Sequence, residues 1–165
     1  MKRKFWILLG LALVALCASC GAAETGSDQN PVLYFVADAQ AGHGPALDTE
    51  PYNGAGGPGP GDLMDALLDG PSREGLVSPF PKGVSLQSWE WDSKREGNLR
   101  VRLSEQYGGL ADISLTLADY CIVLTLSQLD GVKSVEISSA GYASNYRSHT
   151  LLKPDEAVLS DPAVG

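Results

Sequence analysis

Cysteine, histidine and basic residues are all scarce in this chain of 165 residues, and each shortage removes a class of function. The three cysteines are Cys17, Cys20 and Cys121. Two of them crowd the N-terminus and the third lies in an apolar stretch, so no disulfide framework can be built. The two histidines, His43 and His149, stand in no metal-ligand spacing with each other or with a cysteine pair, and no metal site is expected. Basic residues number 12 against 20 acidic ones, and Lys2, Arg3 and Lys4 precede everything else; without them the balance is 9 against 20, or −11. So acidic a surface repels phosphate backbones, which excludes nucleic acid as a partner, and repels anionic headgroups, so membrane attachment must come from a lipid or an inserted segment. Catalytic groupings are also wanting. Ser104 and Ser127 have no base beside them in a nucleophile motif, and Cys121 has no nearby histidine. Asp62, Asp65 and Asp69 fall at helical spacing and read as a solvated helix face. No catalytic residue, no cofactor and no metal are assigned.

What is present begins with a secretory signal. The positive start is followed by the apolar run Phe5 to Leu16 and by small residues around Cys20. Phe5 to Cys20 is 16 residues, short of the roughly 20 needed to span a bilayer. Ala18 and Ser19 directly before Cys20 resemble the lipobox of bacterial lipoproteins, with Cys17 where leucine usually stands. The resemblance implies a signal peptide over 1–20, acylation of Cys20 and a position on the outer face of the cytoplasmic membrane. An uncleaved anchor and plain secretion are the competing readings, and in each the remaining residues are exported.

Hydrophobic residues make up 44% of the chain, enough for the core of one ordinary domain. Residues 21–30 are small and polar and read as a flexible tether. Val32 to Val36 reads as a buried strand. Residues 39–61 are Gly/Pro-rich without periodicity and read as an insertion or linker; a phosphate-binding loop is rejected because Pro58 and Pro60 remove backbone donors. Asp62 is expected to cap a short helix carrying Leu63, Met64, Leu67 and Leu68, stopped by Gly70 and Pro71. Leu76, Val77 and Phe80 are expected to plug the edge of the core.

Val84 and Leu86 alternate with polar residues, then the apolar phase slips by one to Trp89 and Trp91, which predicts either a bulge near Gln87 or Ser88 or a strand with both faces partly covered. Leu99, Val101 and Leu103 alternate with Arg100 and Arg102, whose charges are expected opposite Glu90 and Asp92 as register devices. From Leu110 to Leu129 two apolar stripes, Leu110, Ile113, Leu117, Cys121, Leu124 and Gln128, and Leu115, Ile122, Leu126 and Leu129, predict a central helix apolar over most of its circumference. Cys121 reads as a buried structural residue within it. A last strand holds Val135 and Ile137 inward. The order strand, helix, strand, strand, helix, strand predicts a single α+β domain, one mostly antiparallel sheet with two helices on one face. Residues 142–165 form a C-terminal tail.

Several of these segments together resemble a known family. They are Ala66 to Pro71, Leu76 to Gly83, Leu99 to Ser104 and Leu117 to Ile137, with Gly70 and Pro71 and the stretch Leu124 to Val135 the most specific. They are similar to the GerMN domain, the sporulation and spore germination domain found in bacterial lipoproteins, over about 31–141. The resemblance implies a fold similar to the ring-building modules of envelope complexes and no catalytic residues. The role it implies is interaction with other envelope proteins during sporulation or germination. The alternative is a small-molecule or glycan-binding module in contact with peptidoglycan, with Trp89, Trp91, Tyr142 and Tyr146 as aromatic platforms. For Trp89 and Trp91 the competing reading is plain packing in the core or on a strand face.

Overall fold

The apolar run Val32 to Val36 forms β1 (Val32–Ala37), a strand covered on both faces, which is why its sequence does not alternate. Leu33 and Phe35 enter the main core, while Tyr34 and Val36 join a second cluster with Leu47, Cys121 and Leu124. The computed structural model describes residues 30–38 and 46–140. Its further elements are β2 (Leu47–Pro51), α1 (Pro60–Asp69), β3 (Leu76–Val77), β4 (Leu86–Trp91), β5 (Asn98–Leu103), a 3-10 turn (Glu105–Gly109), α2 (Asp112–Leu126) and β6 (Ser134–Ser139). Residues 1–20 with Cys20, residues 21–29 of the tether, 39–45 with His43, and the tail with Tyr142, Tyr146 and His149 lie outside the described residues.

The α+β class and the two helices hold, but the strands divide into two sheets of three. The orders are β2-β1-β3 and β4-β5-β6, and all pairings are antiparallel except the parallel β5–β6 pair. A parallel neighbour requires a crossover, and α2 supplies it. In the second sheet α1 lies against β4 and α2 against β6, so both helices cover its inner face.

β2 corrects the reading of 39–61 as structureless. Leu47 to Pro51 pairs along the whole of β1 although it holds a single large apolar residue. Its anchor is Glu50, which turns inward and is 6% exposed. The carboxylate accepts the backbone N–H of Ser72 at 3.0 Å, the Ser72 hydroxyl at 3.1 Å and the backbone N–H of Arg73 at 2.8 Å. The same region hides the true start of α1. Pro60 is its first residue, where a missing N–H costs nothing, and Gly59 is the N-cap. Asp62 is therefore not the N-cap but the third helical residue, its carboxylate accepting the Gly59 N–H at 2.8 Å. Leu63, Met64 and Leu67 are buried, and Gly70, at φ 93°, lets the chain leave the helix.

Leu99, Val101 and Leu103 of β5 are fully buried, each burial contributing about 1.5–3 kcal/mol before entropy is counted. The phase slip in β4 is a register shift between Leu86 and Ser88. α2 is buried between both clusters. Leu115, Ile122 and Leu126 meet the main core, and Leu117, Cys121 and Leu124 meet the second, as the two stripes require, while Ile113 in the first turn is 75% exposed. Burial pushes the Cys121 thiol up to about 12. Leu76 is buried as expected, but in a two-residue strand, and Val77 is exposed.

The lower edge of β1 is closed by the end of α2 and the turn that follows it. β3 pairs only with Val36 and Ala37. Beyond it, Thr125 Oγ1 accepts the Tyr34 N–H at 3.1 Å. Gln128 accepts the Val32 N–H at 2.9 Å and donates to the Val32 carbonyl at 2.7 Å. Those backbone groups are thereby satisfied without another strand.

Candidate interaction surface

Strand β4 lies at an edge of its sheet, and past Leu86 every residue in it is exposed. Directly opposed residues share a face, so Trp89 opposite Val101 and Trp91 opposite Leu99 belong to the apolar inner face. Cover runs out before it reaches them. Trp89 is 41% and Trp91 46% exposed. The start of α1 approaches one of them: a Cβ on Gly61 would lie 3.1 Å from Trp89 Nε1. The tryptophans thus pack on a strand face and not in the core, forming an apolar margin, half seated and half open.

The outer face of the same sheet is a row of charges. Glu136 on β6, Arg100 on β5 and Glu90 on β4 stand in register across three strands. Arg100 reaches Glu136 at 3.3 Å, Asp92 at 3.4 Å and Glu90 at 3.5 Å. The carboxylates of Glu136 and Asp92 push its guanidinium pKa further up. The expected pairing of the basic residues with Glu90 and Asp92 holds for Arg100, while Arg102 stands opposite Ser88. Asp92 is anchored by the Lys94 N–H at 2.8 Å and the Asn98 amide at 3.3 Å. These bonds and the nearby arginines outweigh desolvation and hold its carboxyl below the usual range.

Asp62, Asp65 and Asp69 are exposed on α1 and line one wall of an open groove of about 380 Å³, whose other wall includes Leu33, Glu50 and Tyr52. Among the described residues no group of three or more His, Cys, Asp or Glu is placed to hold a metal ion. No helix among them is long and apolar enough to cross a membrane. The buried polar residues are tied into structure: Tyr107 donates its hydroxyl to Asp119, and Ser134 donates to Asn98 at 3.0 Å. The inward Glu50 sits in no sequence pattern that marks it as a tie between distant segments, and Gln128, which the spacing places at the end of a helical stripe, carries no sign there of its bridge to Val32.

The family model described as "Sporulation and spore germination" matches residues 32–144. None of the curated proteins matches the sequence. Solved structures with a similar fold include two from one sporulation protein. The tandem GerMN domains of the sporulation protein GerM from Bacillus subtilis are similar with a TM-score of 0.57 at 19% identity, covering 79% of this chain and 46% of that one. This chain thus spans about half the length of that tandem structure. The first GerMN domain of the same Bacillus subtilis protein is similar with a TM-score of 0.53 at 13% identity, covering 78% of this chain and 96% of that one. With more than half of its length matched and the two-sheet α+β fold in place, the chain belongs to the sporulation and spore germination family of GerMN domains.

Proposed function

We propose that this chain is a lipid-anchored protein of the outer face of the cytoplasmic membrane. Its domain binds other envelope proteins, without catalysis, in the assembly of the sporulation or germination envelope. The observation that carries the reading is the open aromatic margin of β4 on a domain of this family. An edge strand with uncovered tryptophans is a liability for a chain that acts alone and an asset for one that docks. The N-terminal signal and Cys20 supply the anchor, and the acidic surface leaves no role for anionic headgroups in attachment. Mass spectrometry of the mature N-terminus tests the anchor, with a diacylglyceryl group on Cys20 as the expected result. Crosslinking in intact cells tests the role. Recovery of nothing but the monomer, in cells and from detergent-solubilised membranes, contradicts it.

The same tryptophans support a second reading, a peptidoglycan-binding module in which Trp89 and Trp91 stack on sugar rings. Titration with soluble peptidoglycan fragments should then quench their fluorescence. A flat titration retires it.

A further inference from the structure

Deepening the interaction-domain reading on which it rests, we infer that β4 accepts an extended segment of a partner protein as a fourth strand, and that the segment alternates apolar with basic residues. Both faces of the sheet specify this pattern at the same edge. On the inner face, Trp89 and Trp91 present apolar area that ends abruptly at β4. On the outer face, the charges run minus, plus, minus from Glu136 through Arg100 to Glu90, in register. The row stops on Glu90, whose side chain is 68% exposed. A fourth strand continues both rows. Side chains alternate between faces, so a residue beside Glu90 completes the row as a cation, and its sequence neighbours fall beside Trp89 and Trp91 as apolar groups.

The opposite edge does not offer this. In β6, Val135 and Ile137 are buried, and the 3-10 turn lies against the strand. The α1 surface next to Trp89 is also acidic: Asp65, four residues beyond Gly61, stands on the same stripe of the helix and is exposed. A cationic segment therefore meets Glu90 on the strand itself and an acidic residue on the helix that approaches Trp89. A second copy of this chain is a poorer occupant. Its own β4 would bring another Glu90 and another acidic α1 to an edge already negative.

The test uses the full-length chain in detergent and an acetylated, amidated heptapeptide of alternating lysine and valine, read by tryptophan fluorescence. The peptide should bind, and its glutamate-valine counterpart should bind about tenfold or more weakly. Two N-methylated analogues, each blocking alternate amides, separate strand pairing from unspecific attraction. One should bind like the parent and the other should lose binding, because only one edge of an added strand pairs with β4. Glu90→Gln should weaken the lysine peptide, Glu90→Lys should reverse the preference, and Trp91→Ala should weaken binding, all with unchanged circular dichroism. The inference is overturned by no binding of the lysine peptide, by equal binding of both peptides, or by equal binding of both methylated analogues. A dimer in sedimentation that Trp91→Ala dissolves also overturns it, since the occupant is then a second copy. Any of these leaves the crosslinking test of the broader reading untouched, and a lone monomer in cells alongside intact peptide binding would fault that reading instead.

Discussion

Replacing Glu50 by alanine should destabilise the domain far more than replacing Asp48, although both are acidic residues of the same short strand. Glu50 is inward and its carboxylate collects three donors from Ser72 and Arg73 between 2.8 and 3.1 Å. Hydrogen bonds to a charged group contribute about 1.5–3 kcal/mol each, but these share one carboxylate and part of the site can admit water, so about 3 kcal/mol is the expected total. For a folded region of roughly a hundred residues that is a fall of about 10–15 °C in Tm. Asp48 pairs with Arg73 at the surface, with side chains 43% and 48% exposed. An exposed pair contributes about 0–1 kcal/mol. Thermal unfolding followed by circular dichroism should therefore rank Glu50→Ala well below Asp48→Ala, with Glu50→Gln between the parent and Glu50→Ala. A Glu50→Ala protein that melts within about 3 °C of the parent, or an Asp48→Ala protein that loses as much, refutes the assignment of Glu50 as the tie holding β2.

The Cys121 thiol should resist alkylation in the native state at about pH 8 and react once the chain is unfolded, since burial disfavours the thiolate. Its folded pKa, about 12, lies above the unfolded value of 9.0, so the contribution is complete below pH 9 and is lost between those values at up to about 1.4 kcal/mol per pH unit; Cys121→Ala should flatten that alkaline limb of urea midpoints. Asp92 runs the other way. Its folded pKa is below the usual 3.8, so its stabilisation is present above that value and is lost as pH falls through the folded value. Asp92→Asn should therefore lose less stability than the parent between about pH 5 and about pH 2, as read by urea unfolding. Gly97→Ala should cost more than Gly56→Ala, although both sit at positive φ, 79° and 80°. A Cβ at Gly97 meets Lys133 Cγ at 2.6 Å and the Gly131 carbonyl at 2.9 Å, whereas at Gly56 nothing lies within 4 Å. The backbone term alone is about 1 kcal/mol, and equal melting points would contradict the crowding.

The elements that could be read from sequence are those whose side chains carry their own period. Leu99, Val101 and Leu103 announce their face, and the slip before Trp89 announces an irregularity that the register shift between Leu86 and Ser88 resolves as a bulge, not as a strand covered on both faces. The two stripes on α2 likewise require cover on two sides, which the two clusters provide. β2 carries no such period. Its only large apolar residue is Leu47, and it is held by pairing with β1 and by Glu50, both tertiary. A two-residue strand such as β3 is too short to show any period. Pro60 starts α1 inside a Gly/Pro run whose composition argues for a linker, which displaced the cap to Asp62. The division into two sheets is hidden because β1 reads as a buried strand whichever sheet it joins. At the candidate site the tryptophans stand out in the sequence, whereas the charge row depends on β6 lying parallel to β5, a pairing separated by the whole of α2.

The amide of Gln128 stands in for a neighbouring strand at Val32, and the consequence concerns how the chain is assembled. The start of β1 obtains backbone partners from a side chain 96 positions away. A nascent chain that has exposed only its first half carries a raw sheet border and must wait for the far helix to seal it. Shortening the protein from its C-terminal side up to the end of α2 would therefore reopen the strand at the opposite end of the sequence.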